Sequence, residues 1–382
     1  MNERYCDTTE RGLDFGPPEL AEAFGELLAG TGEHTGRVSR EQLSGSRVHR
    51  IRVEAGPDIR SFIVKRFSSA HVAARNQLVA TRWFPAVGLA GAVPALLAVA
   101  AERNGRRVWH IYEDLGDCTL VRDHGARERA RIFPLDPDRI EPAVALIARI
   151  HSRFAGHPLL AECRLYGGDF GGHFLVSAVT DAIRALDALL AAGHDRAGVW
   201  TEAWCRLLAN MHDLRREQGE RVEALARFGG PETLLHGDLW PINVMVSADD
   251  PGRQAALIDW DHVGVGPVTY DLSTFLTHFP RDQRRGLLEL YLRCMDALGI
   301  RFPAETDWNL LFDTAERARL AITVAFEALT ALDHPADWAF EDLARVEPWF
   351  DLLEPILPLN AAGTKLRLEP ARQVGDCADL RY

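Results

Sequence analysis

The sequence predicts an α+β fold of two parts, a small antiparallel sheet with one helix followed by a larger, mainly helical part. Three observations predict it. Between Gly36 and Gly116, apolar residues alternate in short runs such as VHRIRVE (Val48–Glu54) and RSFIVKRF (Arg60–Phe67), with AGPD (Ala55–Asp58) as a hairpin turn between them. From about residue 117 the apolar spacing lengthens to that of a helix, as in EPAVALIARIHSRF (Glu141–Phe154). Between the helical stretches lies LLHGDLWPINVMVSADDPGRQAALIDWDHVGVGPVTYDLS (Leu234–Ser273), where a turn containing DDPG joins two short strands, NVMV and LIDW.

Residues 1–36 read as an N-terminal extension. Within it, PPELAEAFGELL (Pro17–Leu28) predicts a short helix with proline at its start. Its apolar positions suit packing on the body, and a loosely attached tail is the alternative. In the sheet part (residues 37–116), a helix is predicted over Ala70–Phe84, and VWHIY (Val108–Tyr112) is a short strand running into EDLG. In the helical part (residues 117–358), further helices are predicted over Val176–Ala192, Thr201–Phe228, Arg281–Leu298, Trp308–Leu332 and Phe340–Leu357. Residues 359–382 form a tail with little periodicity.

Composition narrows the function classes. With 47% hydrophobic residues in a 382-residue chain, there is material for a sizeable core. The formal charge of −12 argues against a general nucleic-acid binder and permits a cationic substrate. Six scattered cysteines, with no CxxC pair and no zinc spacing, read as reduced thiols of a cytoplasmic protein. The N-terminus lacks the apolar core of a signal peptide, and no run is long and apolar enough to span a bilayer, so no membrane partner is expected. Basic residues are almost all arginine; the two lysines are Lys65 and Lys365.

The candidate chemistry gathers in the interrupting segment. Asp238 follows an apolar pair on a tight turn that Gly237 makes possible, and Asn243 lies five residues on. Asp259 ends the second apolar run, where a buried carboxylate needs a partner. Two carboxylates and an amide suit Mg²⁺ with a nucleotide, because the ion combines a few protein oxygens with phosphate oxygens and water. His236 reads as structural, an imidazole bridging backbone groups. Asp261 is a supporting acid, a metal ligand or a solvent-facing residue. Asp271 either caps the helix beginning near Leu272 or hydrogen-bonds back to the HGD loop. Lys65, inside a strand, either reaches phosphates or lies on an exposed strand face. Ser44, Gly45 and Ser46 precede the first predicted strand and can close over phosphates through backbone N–H groups. Past Ser273 the acids Glu305, Asp307, Asp313, Glu316 and Glu327, with Trp308 and Phe326, suit a polar cation, or else are the solvated faces of amphipathic helices.

These motifs resemble those of the aminoglycoside phosphotransferase and choline kinase group, relatives of the protein kinases. HGDLWPIN resembles the group's catalytic loop, IDWD its metal-binding motif, and IVK the strand carrying its phosphate-contacting lysine. YEDLG (Tyr112–Gly116) resembles the inter-lobe hinge, and LIARIHSRF the helix ending in a structural histidine, here His151. The resemblance covers roughly residues 40–330. It implies a protein-kinase-like two-lobe fold with a nucleotide-binding N-lobe (37–116) and a helical C-lobe (117–358) carrying the catalytic loop and acceptor site. By the same resemblance Asp238 is the catalytic base, and Asn243 and Asp259 hold Mg²⁺ where these residues converge. Lys65, Ser44, Gly45, Ser46, Glu113 and Leu115 hold ATP or GTP, while His236, Asp261 and Asp271 support the loop. One departure stands out: the family usually has a glutamate on the first helix paired with the lysine, and here Asn76 and Gln77 occupy that region. Glu102 is a candidate substitute from elsewhere in the chain.

The expected activity is phosphorylation of a hydroxyl on a small molecule, an aminoglycoside-type or other antibiotic, with a role in resistance or self-protection. A metabolic kinase of an amino alcohol, sugar or ketosamine is the alternative, and a non-catalytic nucleotide-binding protein is a further one. A protein kinase is disfavoured, because no APE-like anchor follows and IDWD runs quickly into GPVTYDLS. A monomer or homodimer is expected.

Overall fold

Strand pairing organises the N-terminal part of the chain. The computed structural model describes residues 17–29, 37–44, 47–55, 58–117, 119–120, 137–192, 199–247 and 255–358. By their contacts these fall into two compact units, one drawn from Met1–Cys118 and Met245–Asp261, the other from Thr119–Val244 and His262–Tyr382.

The first unit holds a five-stranded antiparallel sheet. Its strands are β1 (Arg37–Ser44), β2 (Val48–Ala55), β3 (Asp58–Phe67), β4 (Leu96–Ala101) and β5 (Val108–Glu113), in the order β1-β2-β3-β5-β4. Alternation puts Ile51, Val53, Phe62, Val64, Trp109 and Ile111 into one core. The N-terminal helix α1 (Pro18–Ala29) covers that core with Leu20, Phe24 and Leu28, spaced four apart. Phe24 is fully buried and meets Phe62 edge-on at 5.7 Å. Of the two readings of the extension, therefore, a packed helix is the one observed.

The single helix predicted over Ala70–Phe84 is broken in three. An α-helix, α2 (Ala70–Leu78), gives way to a π-helical turn over Val79–Trp83 and then to a short α3 (Phe84–Ala86). Pro85 has no N–H, and its ring crowds the carbonyl four residues back, Thr81, which lies within the widened turn. Trp83 and Phe84 are both fully buried there.

Residues 245–261 bring a two-stranded sheet to this unit, in which β8 (Val244–Val246) pairs with β9 (Ala255–Leu257). The strand predicted over LIDW thus starts earlier and stops at Leu257, and the DDPG turn lies outside the described residues. The strand stops because Asp259 takes a left-handed conformation, φ 68°, the only non-glycine residue with positive φ among those described.

The second unit is helical. Its helices are α4 (Pro137–Phe154), α5 (Leu160–Tyr166), α6 (Gly172–Ala191), α7 (Val199–Phe228), α8 (Thr269–Thr277), α9 (Arg281–Ala297), α10 (Trp308–Asp333) and α11 (Asp337–Asp351). The long helices α6 and α10 meet through small residues, Ala178, Ala182 and Ala185 on one and Ala321, Ala325 and Ala328 on the other. Leu207, Met211 and Leu214 of α7 and Phe340 and Leu343 of α11 close this core. The last helix ends at Asp351 rather than Leu357, as Pro355 disfavours helical backbone before it. Three very short strands, β6 (Gly168–Asp169), β7 (Thr233–Leu235) and β10 (Gly264–Gly266), form a sheet in the order β6-β10-β7. Among the described residues, no helix is long and apolar enough to cross a membrane.

Candidate active site

In the second unit, the fully buried strand β7 delivers the chain into His236, Gly237 and Asp238. Gly237 has φ +81°, and a Cβ there would lie 1.9 Å from the carbonyl oxygen of His262, so only glycine fits. Asp271, also buried, holds the turn from below. Its Oδ2 accepts the His236 N–H at 2.7 Å and its Oδ1 the Gly237 N–H at 2.9 Å. His151 Nε2 lies 3.3 Å from Oδ2, while His151 Nδ1 contacts the Tyr291 hydroxyl at 2.8 Å. Burial pushes the Asp271 carboxyl up, but hydrogen bonding to His151, the nearby imidazoles and the His236 N–H outweigh it and hold the group below the ordinary carboxylate range. The helix begins at Thr269 rather than near Leu272, with Val268 at the cap position. Asp271 therefore lies inside the first turn, and its carboxylate turns back to the loop.

The loop is also tied beyond Asp238. His236 Nδ1 accepts the Asp238 N–H at 3.3 Å, and the Asp238 carbonyl takes the Trp240 N–H at 2.8 Å and Asn243 Nδ2 at 2.9 Å. Asn243 is buried in a 3₁₀ turn, Pro241–Asn243. Its NH₂ group is engaged, so its Oδ1 is the atom suited to a cation. Asp238 itself is half-buried.

The first unit brings together Lys65, Asp259 and Asp261. Lys65 Nζ donates to Oδ1 of each aspartate at 2.5 Å. Asn76 Nδ2 donates to the same Asp261 oxygen at 2.9 Å. Between the aspartates, Trp260 is buried, donates its indole N–H to the Leu257 carbonyl at 3.1 Å and meets Phe84 edge-on at 4.8 Å. This anchor leaves the two acids flanking it to turn toward Lys65. Of the readings open for Lys65, an exposed strand face is not observed: its side chain is 15% exposed.

Two neighbours on β5 carry no signal in the local sequence. His110 pairs across the sheet with Lys65. It is fully buried, and burial, with Lys65 nearby, pushes its imidazole down to about 4. Its Nδ1 contacts the Tyr112 hydroxyl at 2.8 Å. Burial and the adjacent Asp261 and Asp259 push the Tyr112 hydroxyl up, so it stays protonated.

In the hinge-like segment, Glu113 Oε1 accepts the Ala95 N–H at 2.6 Å, and Leu115 is half-buried. Asp114, between them, is the better-tied residue. It accepts Arg50 Nε at 2.6 Å, Ser61 Oγ at 2.5 Å and the Gly116 N–H at 2.9 Å. The backbone of Ser44 ends β1, and Gly45 and Ser46 lie outside the described residues. Glu102 takes no part in the Lys65 cluster; its nearest charged partner is Arg107.

The acids considered for a cationic acceptor are mostly engaged already. Asp313 pairs with Arg221 and Arg317, both at 2.8 Å, and Glu316 pairs with Arg319. Asp307 caps α10 by accepting the Leu310 N–H at 3.1 Å. Trp308 is a core residue packed between Phe302 and Phe312, whereas Phe326 is exposed.

Among the described residues, no group of three or more His, Cys, Asp or Glu could hold a metal by itself. Mg²⁺ does not need one, since it commonly takes one or two protein oxygens and completes its shell with phosphate and water. Amide and carboxylate oxygens, such as those of Asn243 in the second unit and of Asp259 in the first, are hard donors of the kind it takes.

Comparison with known proteins agrees with the motifs. The model of the phosphotransferase enzyme family matches residues 39–299. Among solved structures, the GDP complex of aminoglycoside 2'-phosphotransferase-IIIa aligns with a TM-score of 0.54 at 14% identity, covering 87% of this chain and 98% of that one. Macrolide 2'-phosphotransferase MphH from Brachybacterium faecium gives 0.52 at 16%, covering 85% and 97%. An ethanolamine kinase from Plasmodium vivax gives 0.50 at 12%, covering 83% and 82%. No curated protein matches the chain. The fold is thus the protein-kinase-like one of these enzymes, and the chain belongs to the phosphotransferase enzyme family, as a small-molecule kinase with an alcohol group as acceptor.

Proposed function

We propose that the protein transfers the γ-phosphoryl group of ATP or GTP to a hydroxyl of an aminoglycoside-type or other antibiotic, in the cytoplasm. The observation that carries this reading is the hydrogen bond from Asn243 Nδ2 to the Asp238 carbonyl. It fixes one loop with two separate capacities, a carboxylate for a hydroxyl and an amide oxygen for a cation.

In the proposed mechanism, Asp238 orients the acceptor hydroxyl and takes its proton as the acceptor oxygen bonds to the γ-phosphorus. The bond from that phosphorus to the β–γ bridging oxygen breaks, and the nucleoside diphosphate leaves. A positioned general base contributes about 10²–10⁴-fold. Asn243 and Asp259 are the proposed Mg²⁺ ligands; an ion held there would offset the charge of the transferring phosphates. Lys65 steadies the α- and β-phosphates, and the backbone of Glu113 to Leu115 holds the base.

For the acceptor, two of the three similarly folded enzymes above are named for antibiotics and one for ethanolamine, which makes a metabolic amino-alcohol kinase the second reading. The arginine pairing of Asp313 and Glu316 reduces the negative charge available to a cationic acceptor, so lightly charged antibiotics belong in the test. Purified protein with ATP or GTP and Mg²⁺ should be offered aminoglycosides, macrolides, nucleoside antibiotics and amino alcohols. Mass spectrometry then reads the gain of one phosphoryl group. Modification of amino alcohols alone would overturn the antibiotic reading, and no modification of any hydroxyl compound would overturn the Asp238 assignment.

A further inference from the structure

Lys65 faces two acids, and their settings differ. Asp259 stands in a left-handed conformation just past β9, with its side chain 47% exposed. Asp261 is 24% exposed and is gripped by α2 as well as by Lys65. Its Oδ1 accepts Asn76 Nδ2 at 2.9 Å, and its backbone carbonyl accepts Arg75 Nη1 at 3.2 Å. Asn76 is itself buried, and its NH₂ group also donates to the Val72 carbonyl at 3.0 Å. With both amide hydrogens engaged, Asn76 has one orientation, and it aims Asp261 at Lys65.

We propose that Asp261, oriented by Asn76, is the positioning residue for Lys65, doing from the IDWD segment what an acid on α2 would otherwise do. No carboxylate stands on α2, whose sequence is AHVAARNQL. An amide there cannot neutralise an ammonium group, but it can fix the carboxylate that does. The pair thereby divides the two aspartates: Asp261 stays with the lysine, and Asp259 is the acid with latitude for another partner. That Lys65 serves phosphates rests on the function proposed above; the anchoring of its amine does not.

The test uses the amine directly. With only two lysines in the chain, acylation of Lys65 by acetic anhydride is read unambiguously by peptide mass spectrometry. Asp261→Asn should raise Lys65 acylation at least fivefold, and Asp259→Asn by less than half as much. The exchange variant Asn76→Asp/Asp261→Asn, which returns a carboxylate across the same hydrogen bond, should restore protection to within twofold of wild type. Binding of a fluorescent ATP analogue should weaken about tenfold in Asp261→Asn and recover in the exchange variant. The proposal is overturned if Asp259→Asn exposes Lys65 as much as Asp261→Asn does, or if the exchange fails to restore protection. Should Asp261→Asn fail to fold by circular dichroism, Asn76→Leu takes its place: it should raise acylation about threefold, and an unchanged rate overturns the proposal. If wild type binds no nucleotide analogue, the proposed function fails, while the acylation series still decides the role of Asp261.

Discussion

Oδ2 of Asp271 accepts the backbone N–H of His236 at 2.7 Å, so a carboxylate of α8 sets the shape of the loop that carries Asp238. Replacing Asp271 with asparagine puts an NH₂ group where one of two backbone donors needs an acceptor. An unsatisfied buried donor costs about 1–3 kcal/mol. Asp271→Asn should therefore lower stability by that amount and reduce kcat at least tenfold, with KM for nucleotide little changed. Because the folded-state carboxyl is held below its ordinary range, its stabilisation is complete above the unfolded-state value and fades as pH falls through the folded one. Denaturant unfolding of wild type and variant should differ at neutral pH and converge in strong acid.

Asp238→Ala should remove phosphoryl transfer by at least about 10²-fold while leaving nucleotide affinity within a fewfold of wild type. Isothermal titration with a non-hydrolysable nucleotide, beside a turnover assay, checks both halves. Retained turnover would falsify the base assignment.

Gly237→Ala meets a backbone oxygen that cannot move aside cheaply, in a conformation that costs an L-residue about 1–2 kcal/mol before any clash. A loss of more than about 2 kcal/mol in denaturant unfolding is expected, together with loss of transfer.

His110 supplies an acid-sensitive element. Its imidazole is neutral in the folded protein down to about pH 4, whereas the unfolded chain protonates it near 6.5. Its stabilisation is thus present above the unfolded value and is lost as pH falls from about 6.5 to 4, by up to about 3 kcal/mol. His110→Gln should flatten the stability profile across that window. An equally steep profile in the variant would assign the acid sensitivity elsewhere.

Trp240 stands two residues beyond Asp238, 37% exposed, with its indole packed against His278 at 4.1 Å. An exposed aromatic face so close in sequence to the proposed base suits the apolar face of an acceptor. Trp240→Ala should raise KM for the acceptor several-fold with kcat changed less than about threefold. An unchanged KM would remove Trp240 from the acceptor site.

What could be read from sequence was whatever repeated or broke a repeat. The long helices of the second unit and the central strands β2 and β3 declare themselves by period. The edges were harder. RVSREQLS is charged along an edge strand, and LLAVAA is an unbroken apolar run with no alternation to betray it. Helix α8 has no polar face, since Thr269 to Leu276 are all buried, and so it showed no helical period. Strands of two or three residues carry no period at all. In the site, Asp238, Asn243 and Asp259 stand out because polar groups interrupt apolar runs. The roles of Asn76, Asp114 and His110 come from partners 185, 64 and 45 or more positions away, which local pattern cannot register.

The first unit is not finished when its sheet is. Lys65 leaves the ribosome long before the acids that hold it, 194 residues ahead of Asp259 and 196 ahead of Asp261. At about 5–20 residues per second, the nascent sheet waits roughly 10–40 s for them. During that interval its lone ammonium group has neither carboxylate, and the cluster it belongs to is completed only after most of the chain has been made.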